Sequence, residues 1–147
     1  MTPGIDYTGV TVCFFCHDGA GNFLMARRSQ KCRDEQGRWE CGGGRLEFGE
    51  DPEEGVLREV REEYGCSGVI EERLHPRSII REHKGRKTHW LALPYVIRVN
   101  PAAVRISEPE YIDEIGWFPL GGLPQPLHTG FAMQLEAYRP ILQKYQI

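Results

Sequence analysis

Three glutamates within five residues are the side chains of this sequence best suited to chemistry. Glu59, Glu62 and Glu63 are one to four positions apart, so a helix would place all three on one face. Like charges at these spacings repel one another, and a divalent cation between them turns the repulsion into attraction. Mg²⁺ and Mn²⁺ prefer oxygen ligands and often bind carboxylates together with substrate phosphates. The cluster therefore indicates a metal site, with a solvated acidic helix face as the alternative on acidity alone.

A helix that would carry these glutamates is predicted to begin at Pro52. Asp51 is a suitable N-cap, and proline fits the first helical turn. Gly65 is a suitable C-terminal stop. The apolar stripe of this helix repeats at every fourth position and consists of Val56, Val60 and Tyr64. Residues 44–66 hold eight acidic side chains against three arginines, a concentration of negative charge that solvent or a cation must balance.

The residues around the glutamates resemble the Nudix box, G-x5-E-x7-R-E-U-x-E-E-x-G-U, in which U is aliphatic. The match runs from Gly44 through Glu50 to Arg58-Glu59-Val60-Arg61-Glu62-Glu63-Tyr64-Gly65-Cys66, and every fixed position is present. The one departure is Cys66 at the final aliphatic position, where a small apolar side chain still packs. Upstream, Trp39-Glu-Cys-Gly-Gly-Gly44 has glycine at position 42, where the family usually has proline. Downstream, residues 108–120 resemble the acidic segment that precedes the family's Trp-Phe strand.

This resemblance implies an α+β chain with the Nudix fold, a three-layer α/β/α sandwich around a mixed, partly antiparallel sheet. Residues 1–147 would form a single Nudix domain. The residue patterns themselves predict strands over 8–16, 23–26, 68–74, 77–82, 88–98 and 114–118, and a second helix over 130–145. They also predict a surface loop over 29–38, followed by a short strand and a glycine-rich turn over 39–44.

The resemblance also implies an activity and a metal site. Family members hydrolyse a nucleoside diphosphate linked to another group, and water attacks a phosphorus of the pyrophosphate with Mg²⁺ or Mn²⁺ bound. By this resemblance the metal ligands are Glu59, Glu62 and Glu63, with the backbone carbonyl of Gly43 as a further ligand. One of the three carboxylates would also orient or deprotonate the attacking water.

Further residues of the site are carried over from the family. Arg58 and Glu50 match a pair that forms a salt bridge and braces the loop. Many family members supply an additional acid from outside the box, and Glu110 is the first choice for it, with Glu108 and Glu114 as alternatives.

Basic side chains near the box are candidates for binding phosphate. Arg27 and Arg28 end the second strand, and strand alternation turns one toward the cleft and the other toward solvent. Similarity to MutT-like members favours Arg28. Arg86 or Lys87, which open a later strand, and His128, which follows the Trp-Phe strand, are further candidates for substrate contact. For each of them an ordinary solvated surface position is the alternative.

Markers outside the box narrow the substrate class. The proline typical of ADP-ribose hydrolases would fall at Arg81, and the tyrosine typical of diadenosine polyphosphate hydrolases at residues 82–84, and neither is present. This favours a MutT-like enzyme that converts a (d)NTP, oxidised and non-standard nucleotides included, into a monophosphate and pyrophosphate. One alternative is a hydrolase of nucleotide sugars or other nucleoside diphosphate derivatives. Another is a non-catalytic Nudix-fold module that senses a nucleotide, although such modules usually have a decayed box.

Composition and charge exclude several other classes. The 147 residues carry a formal net charge of −3, and the absence of a basic run argues against nucleic acid as a partner. No segment approaches the ~20 apolar residues of a membrane span, and no secretory signal is visible. We therefore expect a cytoplasmic monomer or homodimer whose partner is a small nucleotide. Cys13 and Cys16 have zinc-knuckle spacing, but in a strand they would face opposite sides and act as core residues.

Overall fold

A computed structural model describes residues 1–146 (at His83 the backbone alone), and this part of the chain forms eight strands and two α-helices. The strands are β1 (Gly9–His17), β2 (Asn22–Arg28), β3 (Trp39–Glu40), β4 (Gly43–Arg45), β5 (Gly68–Arg73), β6 (Arg77–His83), β7 (Arg86–Val99) and β8 (Ile112–Pro119). The helices are α1 (Pro52–Tyr64) and α2 (Thr129–Leu142). The predicted domain over 1–147 includes Ile147, which lies outside the described residues.

All eight strands belong to one mixed sheet. The order is β3-β2-β1-β7-β5, with β4 paired to β1, β6 to β7 and β8 to β2. β1 and β7 run parallel over their length, and the remaining pairs are antiparallel. β1 pairs with β2 where His17 meets Phe23, whereas further back it pairs with β4 at residues 11–13. β1 and β2 therefore diverge, and the segment 39–45 fills the space between them.

The sheet is the middle layer between the two helices, so the predicted three-layer fold is confirmed. One face of β1 packs against α1 through Val12, Phe14 and Cys16, which contact Val56, Val60 and Tyr64. The other face of the sheet packs against α2, where Phe15 of β1 and Met25 of β2 share a buried cluster with Leu135, Tyr138 and Leu142 of α2. Because burying a side chain of this size stabilises the fold by about 1.5–3 kcal/mol, both helices are fixed by their apolar stripes.

The two ends of α1 have the caps that the sequence predicts. The Asp51 side chain accepts a hydrogen bond from the N–H of Glu53 at 3.1 Å. Gly65 adopts the left-handed conformation with φ of 64°, and its N–H donates to the carbonyl of Arg61. A cap of this kind is worth about 1 kcal/mol, so the register of α1, and with it the direction of its glutamates, is fixed locally.

The glycine-rich segment differs from the prediction. It was expected as one short strand followed by a turn, but β3 ends at Glu40 and a separate strand, β4, begins at Gly43. Gly42 has φ of 155°, and a Cβ on Gly43 would lie 2.5 Å from the carbonyl oxygen of Val12. Proline, with φ fixed near −65°, cannot adopt the backbone conformation found at Gly42. The backbone conformation at position 42 therefore fits glycine and excludes the proline that the family usually has there.

Smaller differences lie at the element ends. The last strand begins at Ile112 rather than at residue 114, and the second helix ends at Leu142, followed by a 3₁₀ turn over Gln143–Tyr145. Cys13 and Cys16 lie on opposite faces of β1, as strand alternation predicts: Cys16 packs on the α1 side and Cys13 contacts Gln134 of α2. None of the helices in the described chain has the length and apolar composition needed to cross a bilayer.

Candidate active site

Arg58 connects the acidic residues of the loop and of α1. Its Nε and Nη2 bind the two oxygens of Glu50 at 2.7 and 2.9 Å, and its Nη1 binds Glu59 at 2.7 Å and Glu62 at 3.1 Å. The hydrogen bonds from Arg58 lower the pKa of Glu50 to about 2. The guanidinium thus holds the loop against the helix and gathers two of the predicted metal ligands around one nitrogen.

Glu59 lies directly against the glycine-rich segment. A Cβ on Gly44 would be 2.2 Å from Glu59 Oε1, so the carboxylate occupies space that any other residue at this position would fill. Burial raises the pKa of Glu59 even though Arg58 contacts it. The invariant glycine of the motif therefore has a steric role here, since it lets the carboxylate approach the backbone.

Glu63 is half-buried, whereas Glu62 is exposed. Its Oε2 accepts a hydrogen bond from the N–H of Gly43 at 3.1 Å. Burial raises the pKa of Glu63 well above its usual range, and the nearby acids Glu40, Glu59 and Glu108 raise it further. The Tyr64 hydroxyl, which donates to the carbonyl of Cys41, ties this end of α1 to the same segment. A half-buried carboxylate whose neighbours are acids is stabilised by a proton or a cation.

The oxygen atoms of Glu59, Glu62, Glu63 and the Gly43 carbonyl are chemically suited to a divalent cation. Carboxylate oxygens are the ligands that Mg²⁺ and Mn²⁺ prefer, and an acidic environment around Glu63 is one that such an ion would relieve. Among the side chains that the structure describes, no three acidic, histidine or cysteine side chains lie within reach of one ion. Arg58 holds Glu59 and Glu62, so these two carboxylates face the guanidinium.

A cavity of about 460 Å³ opens beside Glu63 and the glycine-rich segment. This volume suits a nucleotide-sized ligand. Its wall combines the sheet with the first turns of α2 and carries four basic side chains, namely Arg28, Arg33, Arg45 and Arg81. The cavity thus brings together Glu63, one of the predicted metal ligands, and cations that can bind phosphate oxygens.

The two arginines at the end of β2 lie in different surroundings. Arg28 lines the cavity, where its Nη1 binds Glu40 at 2.5 Å and its Nη2 binds Asp34 at 3.0 Å. Arg27 is directed toward Glu114, with 3.3 Å between its Nε and the carboxylate. The register of β2 against β8 shifts between these residues, which separates the two side chains.

Of the other predicted substrate-binding residues, one lines the cavity and two lie outside its described wall. His128 lines the cavity and caps α2, since its Nδ1 accepts hydrogen bonds from the N–H groups of Gly130 and Phe131 at 3.0 and 3.2 Å. Burial lowers the pKa of His128, which keeps the ring neutral as an acceptor. Arg86 and Lys87 are exposed at the start of β7 and do not belong to the described cavity wall.

The three acids considered outside the motif are also separated. Glu110 is exposed, and its backbone carbonyl accepts a hydrogen bond from Ser29 Oγ. Glu114 pairs with Arg27. Glu108 is partly buried, and burial followed by the charge of Glu62 raises its pKa. Among these acids of the described chain, Glu108 is the one beside the carboxylates of α1.

Several cavity residues were missed by the sequence analysis. Glu40, Arg33 and Gln134 line the cavity but belong to no motif. A signal for Gln134 was present, because it lies among the apolar positions Phe131, Leu135 and Tyr138 that form the buried stripe of α2. A polar residue inside such a stripe is buried and must find a partner. Arg33 and Glu40 gave no comparable signal.

Comparisons with known proteins agree with this geometry. The NUDIX domain family matches residues 7–138. A CTP pyrophosphohydrolase of Escherichia coli (strain K12) is 36% identical over 127 residues, covering 82% of this chain and 88% of that protein. An RNA pyrophosphohydrolase of Acidiphilium cryptum is 30% identical over 142 residues, covering 85% and 79%. The crystal structure of a MutT NUDIX hydrolase from Burkholderia pseudomallei has a TM-score of 0.74 at 30% identity, covering 89% and 98%.

Proposed function

The chain belongs to the Nudix family, and we propose that this hydrolase of phosphorus anhydrides converts nucleoside triphosphates into a monophosphate and pyrophosphate in a Mg²⁺- or Mn²⁺-dependent reaction. The observation that carries the proposal is the position of the half-buried Glu63 at the wall of a cavity that four arginines also line. The relative named CTP pyrophosphohydrolase supports a triphosphate substrate.

The arginines of the cavity bind and orient the phosphates. No acidic side chain of the described residues forms an ion pair with Arg33 or Arg45, so their guanidinium groups are available to phosphate oxygens. Arg28 keeps a fixed orientation through Glu40 and Asp34. Guanidinium groups suit this role because they donate paired hydrogen bonds to phosphate.

The metal would be held by Glu59, Glu62, Glu63 and the carbonyl of Gly43. When bound, such an ion neutralises the charge of the pyrophosphate and lowers the pKa of a bound water. Arg58 and Glu50 keep the loop and α1 in register, so that the carboxylates stay at the cavity wall. These two residues are positioning residues rather than catalytic ones.

Glu108 is the best-supported acid for accepting the proton of the attacking water. It stands outside α1 and outside the hydrogen bonds of Arg58, close enough to Glu62 for each charge to influence the other. General-base catalysis by a positioned carboxylate contributes about 10²–10⁴-fold. Glu110, the first choice from the sequence, is exposed and lacks this environment.

A second candidate substrate is the 5′-triphosphate end of RNA. The relative from Acidiphilium cryptum, named RNA pyrophosphohydrolase, supports it, and the bond that is cleaved is of the same kind. The net charge of −3 provides little attraction for the rest of a polyanion. A direct competition between a free triphosphate and a triphosphorylated RNA oligonucleotide separates the two candidates.

The proposal is tested by measuring products. Purified protein is incubated with each nucleoside triphosphate and Mg²⁺ or Mn²⁺, and monophosphate and pyrophosphate are quantified. We expect both products in equal amounts, lost on addition of EDTA and in Glu63→Gln. Turnover of a nucleotide sugar in place of every triphosphate would overturn the substrate class, and nucleotide binding without any turnover would favour a sensing module.

A further inference from the structure

Gln134 of α2 has a buried polar atom that the fold leaves without a partner. The residue is 5% exposed, and its Nε2 donates to Cys13 Sγ at 2.9 Å. Its Oε1 is buried and accepts no hydrogen bond from the described residues. Burial raises the pKa of the Cys13 thiol to about 12, so the sulfur is uncharged at neutral pH.

A second unpartnered atom lies at the same cavity. Across the described part of the chain, the buried side-chain nitrogen and oxygen atoms without a partner are Arg81 Nε and Gln134 Oε1. Both residues line the cavity. The guanidinium carbon of Arg81 is 3.7 Å from where a Cβ on Gly130 would be, one helical turn before Gln134. Buried polar groups normally have a hydrogen-bond partner. Two unpaired atoms in residues that line one cavity therefore point to a polar ligand that forms hydrogen bonds with them.

The surroundings of Gln134 indicate a flat heterocycle as that ligand. Phe15, Phe131 and Trp90 line the same cavity. Aromatic walls with a few polar groups are typical of pockets that bind planar rings. The basic side chains that would take the phosphates, Arg28 and Arg45, belong to the same cavity wall and come from other elements.

We propose that Gln134 determines which nucleobase this enzyme accepts, and that its Oε1 accepts a hydrogen bond from an exocyclic amino group of the base. This inference rests on the proposed function, hydrolysis of nucleoside triphosphates. Because Nε2 already donates to Cys13, Oε1 is the carboxamide atom that the described residues leave without a partner. A keto oxygen at the same place would face Oε1 with lone pairs on both sides, and the buried oxygen would stay unpaired.

Matched substrates test the proposal on the unmodified enzyme. CTP has an amino group where UTP has a keto group, and ATP and ITP differ in the same way. In each pair the neighbouring ring nitrogen also changes from an acceptor to an N–H donor. We expect kcat/KM to favour the amino member by about tenfold or more in the pair that turns over faster. A ratio near one in both pairs would overturn the role of Gln134 and leave the proposed function intact. Hydrolysis of none of the four triphosphates, of GTP or of an oxidised nucleotide would overturn both, whereas hydrolysis of GTP or an oxidised nucleotide alone would overturn only the role of Gln134.

Variants then assign the discrimination to Gln134. Gln134→Leu and the unbranched Gln134→Met remove the acceptor, and we expect the amino-to-keto ratio to fall to near one in each variant that keeps its fold by circular dichroism. Cys13→Ala frees the carboxamide to turn its NH₂ toward the base, and the ratio should fall in this variant as well. Gln143→Leu changes an exposed glutamine just after α2 and should keep the ratio of the unmodified enzyme. Retention of that ratio in Gln134→Leu or Gln134→Met would overturn the proposal.

Discussion

The acidic face of α1 and the cavity wall beneath α2 are parts of one site, yet they are built in different ways. The acidic face comes from one contiguous stretch, in which Arg58 binds Glu50, Glu59 and Glu62 within nine residues of itself. The cavity wall combines residues from β1, β2, the loop after it, β4, β6, β7 and α2. Local geometry therefore fixes the chemical machinery, whereas the substrate surface depends on the assembled fold.

The energetic character of the two regions differs as well. The acidic face is crowded with like charges, and burial raises the pKa of Glu59 and Glu63. The cavity wall carries arginines and aromatic rings, and two of its residues, Arg81 and Gln134, each have a buried polar atom without a partner in the described chain. We conclude that changes on the acidic face should reduce turnover, and changes on the cavity wall should alter which substrate binds and how tightly.

The largest effect is expected on the acidic face, from Glu63→Gln. Glutamine keeps an acceptor for the N–H of Gly43 but removes the carboxylate, so turnover should fall about 10³-fold. The melting temperature should not decrease, because the repulsion between this carboxylate and the neighbouring acids Glu40, Glu59 and Glu108 is removed. Steady-state kinetics and calorimetry measure the two quantities. Glu54→Gln, an exposed change on the same helix, is the control, and a loss below tenfold in Glu63→Gln would contradict its assigned role.

Comparing Glu108 with Glu110 tests which acid outside α1 takes part in turnover. Glu108→Gln should lower kcat about 10²-fold with KM nearly unchanged, because a proton acceptor beside the carboxylates is lost. Glu110→Gln should leave kcat within twofold of the unmodified enzyme, a margin set by the small effect of exposed substitutions. If the two variants exchanged these phenotypes, the sequence-based choice of Glu110 would be the right one.

Gly44→Ala tests whether close packing around Glu59 matters for turnover. The new Cβ would lie 2.2 Å from Glu59 Oε1 and must displace the carboxylate. A displacement of about 1 Å in such a site costs up to about 10²-fold in rate, and kcat should fall accordingly while the fold is retained. Gly121→Ala places a Cβ in open space and serves as the control. Full activity in Gly44→Ala would show that Glu59 is not needed at its present position.

Substitutions of arginines on the cavity wall should raise KM. Arg45→Gln or Arg33→Gln removes a guanidinium that lines the cavity, and KM should rise about tenfold, equivalent to about 1.4 kcal/mol. Arg86→Gln, at an exposed position outside the wall, should leave KM unchanged. Initial-rate measurements over a range of substrate concentrations distinguish KM from kcat. A larger effect in Arg86→Gln than in Arg45→Gln would move the phosphate site to the β6–β7 hairpin.

The smallest effect concerns stability alone. Asp51→Ala removes the hydrogen bond to the N–H of Glu53 and should lower the free energy of unfolding by about 1 kcal/mol. Because the cap lies at the far end of α1 from Glu63, kcat should be unchanged. Urea unfolding together with steady-state kinetics checks both parts, and a tenfold loss of kcat would show that the start of α1 is coupled to the carboxylates.

The contrast between the regions also explains what the sequence could predict. The caps Asp51 and Gly65, the stripe of α1 and the spacing of the glutamates are local patterns, and the observed helix agrees with all of them. The strands were recognised from their apolar runs, and their ends shifted by a few residues. The split of the glycine-rich segment into two strands depends on pairing partners that no local pattern contains.

The residues of the cavity wall required the assembled fold. Strand alternation separated Arg27 from Arg28, but a register shift and the acids Glu40 and Glu114 decide where each guanidinium lies. Glu108 and Glu110 are two residues apart, and their different burial follows from how the loop before β8 passes α1. Gln134 could have been identified from the sequence as a polar residue in an apolar stripe. Its partner Cys13, however, lies 121 positions away and follows only from the fold.

The parallel pairing of β1 and β7 has a consequence for how the molecule is made. Gly9 faces Trp90 and His17 faces Arg98, so the central strand of the sheet has no parallel neighbour until most of the chain has been synthesised. Contacts of such long sequence separation slow folding, because the loop must close before burial is gained. On the ribosome, one edge of β1 stays unpaired until β7 emerges, and we expect this exposed apolar strand to bind chaperones during that interval.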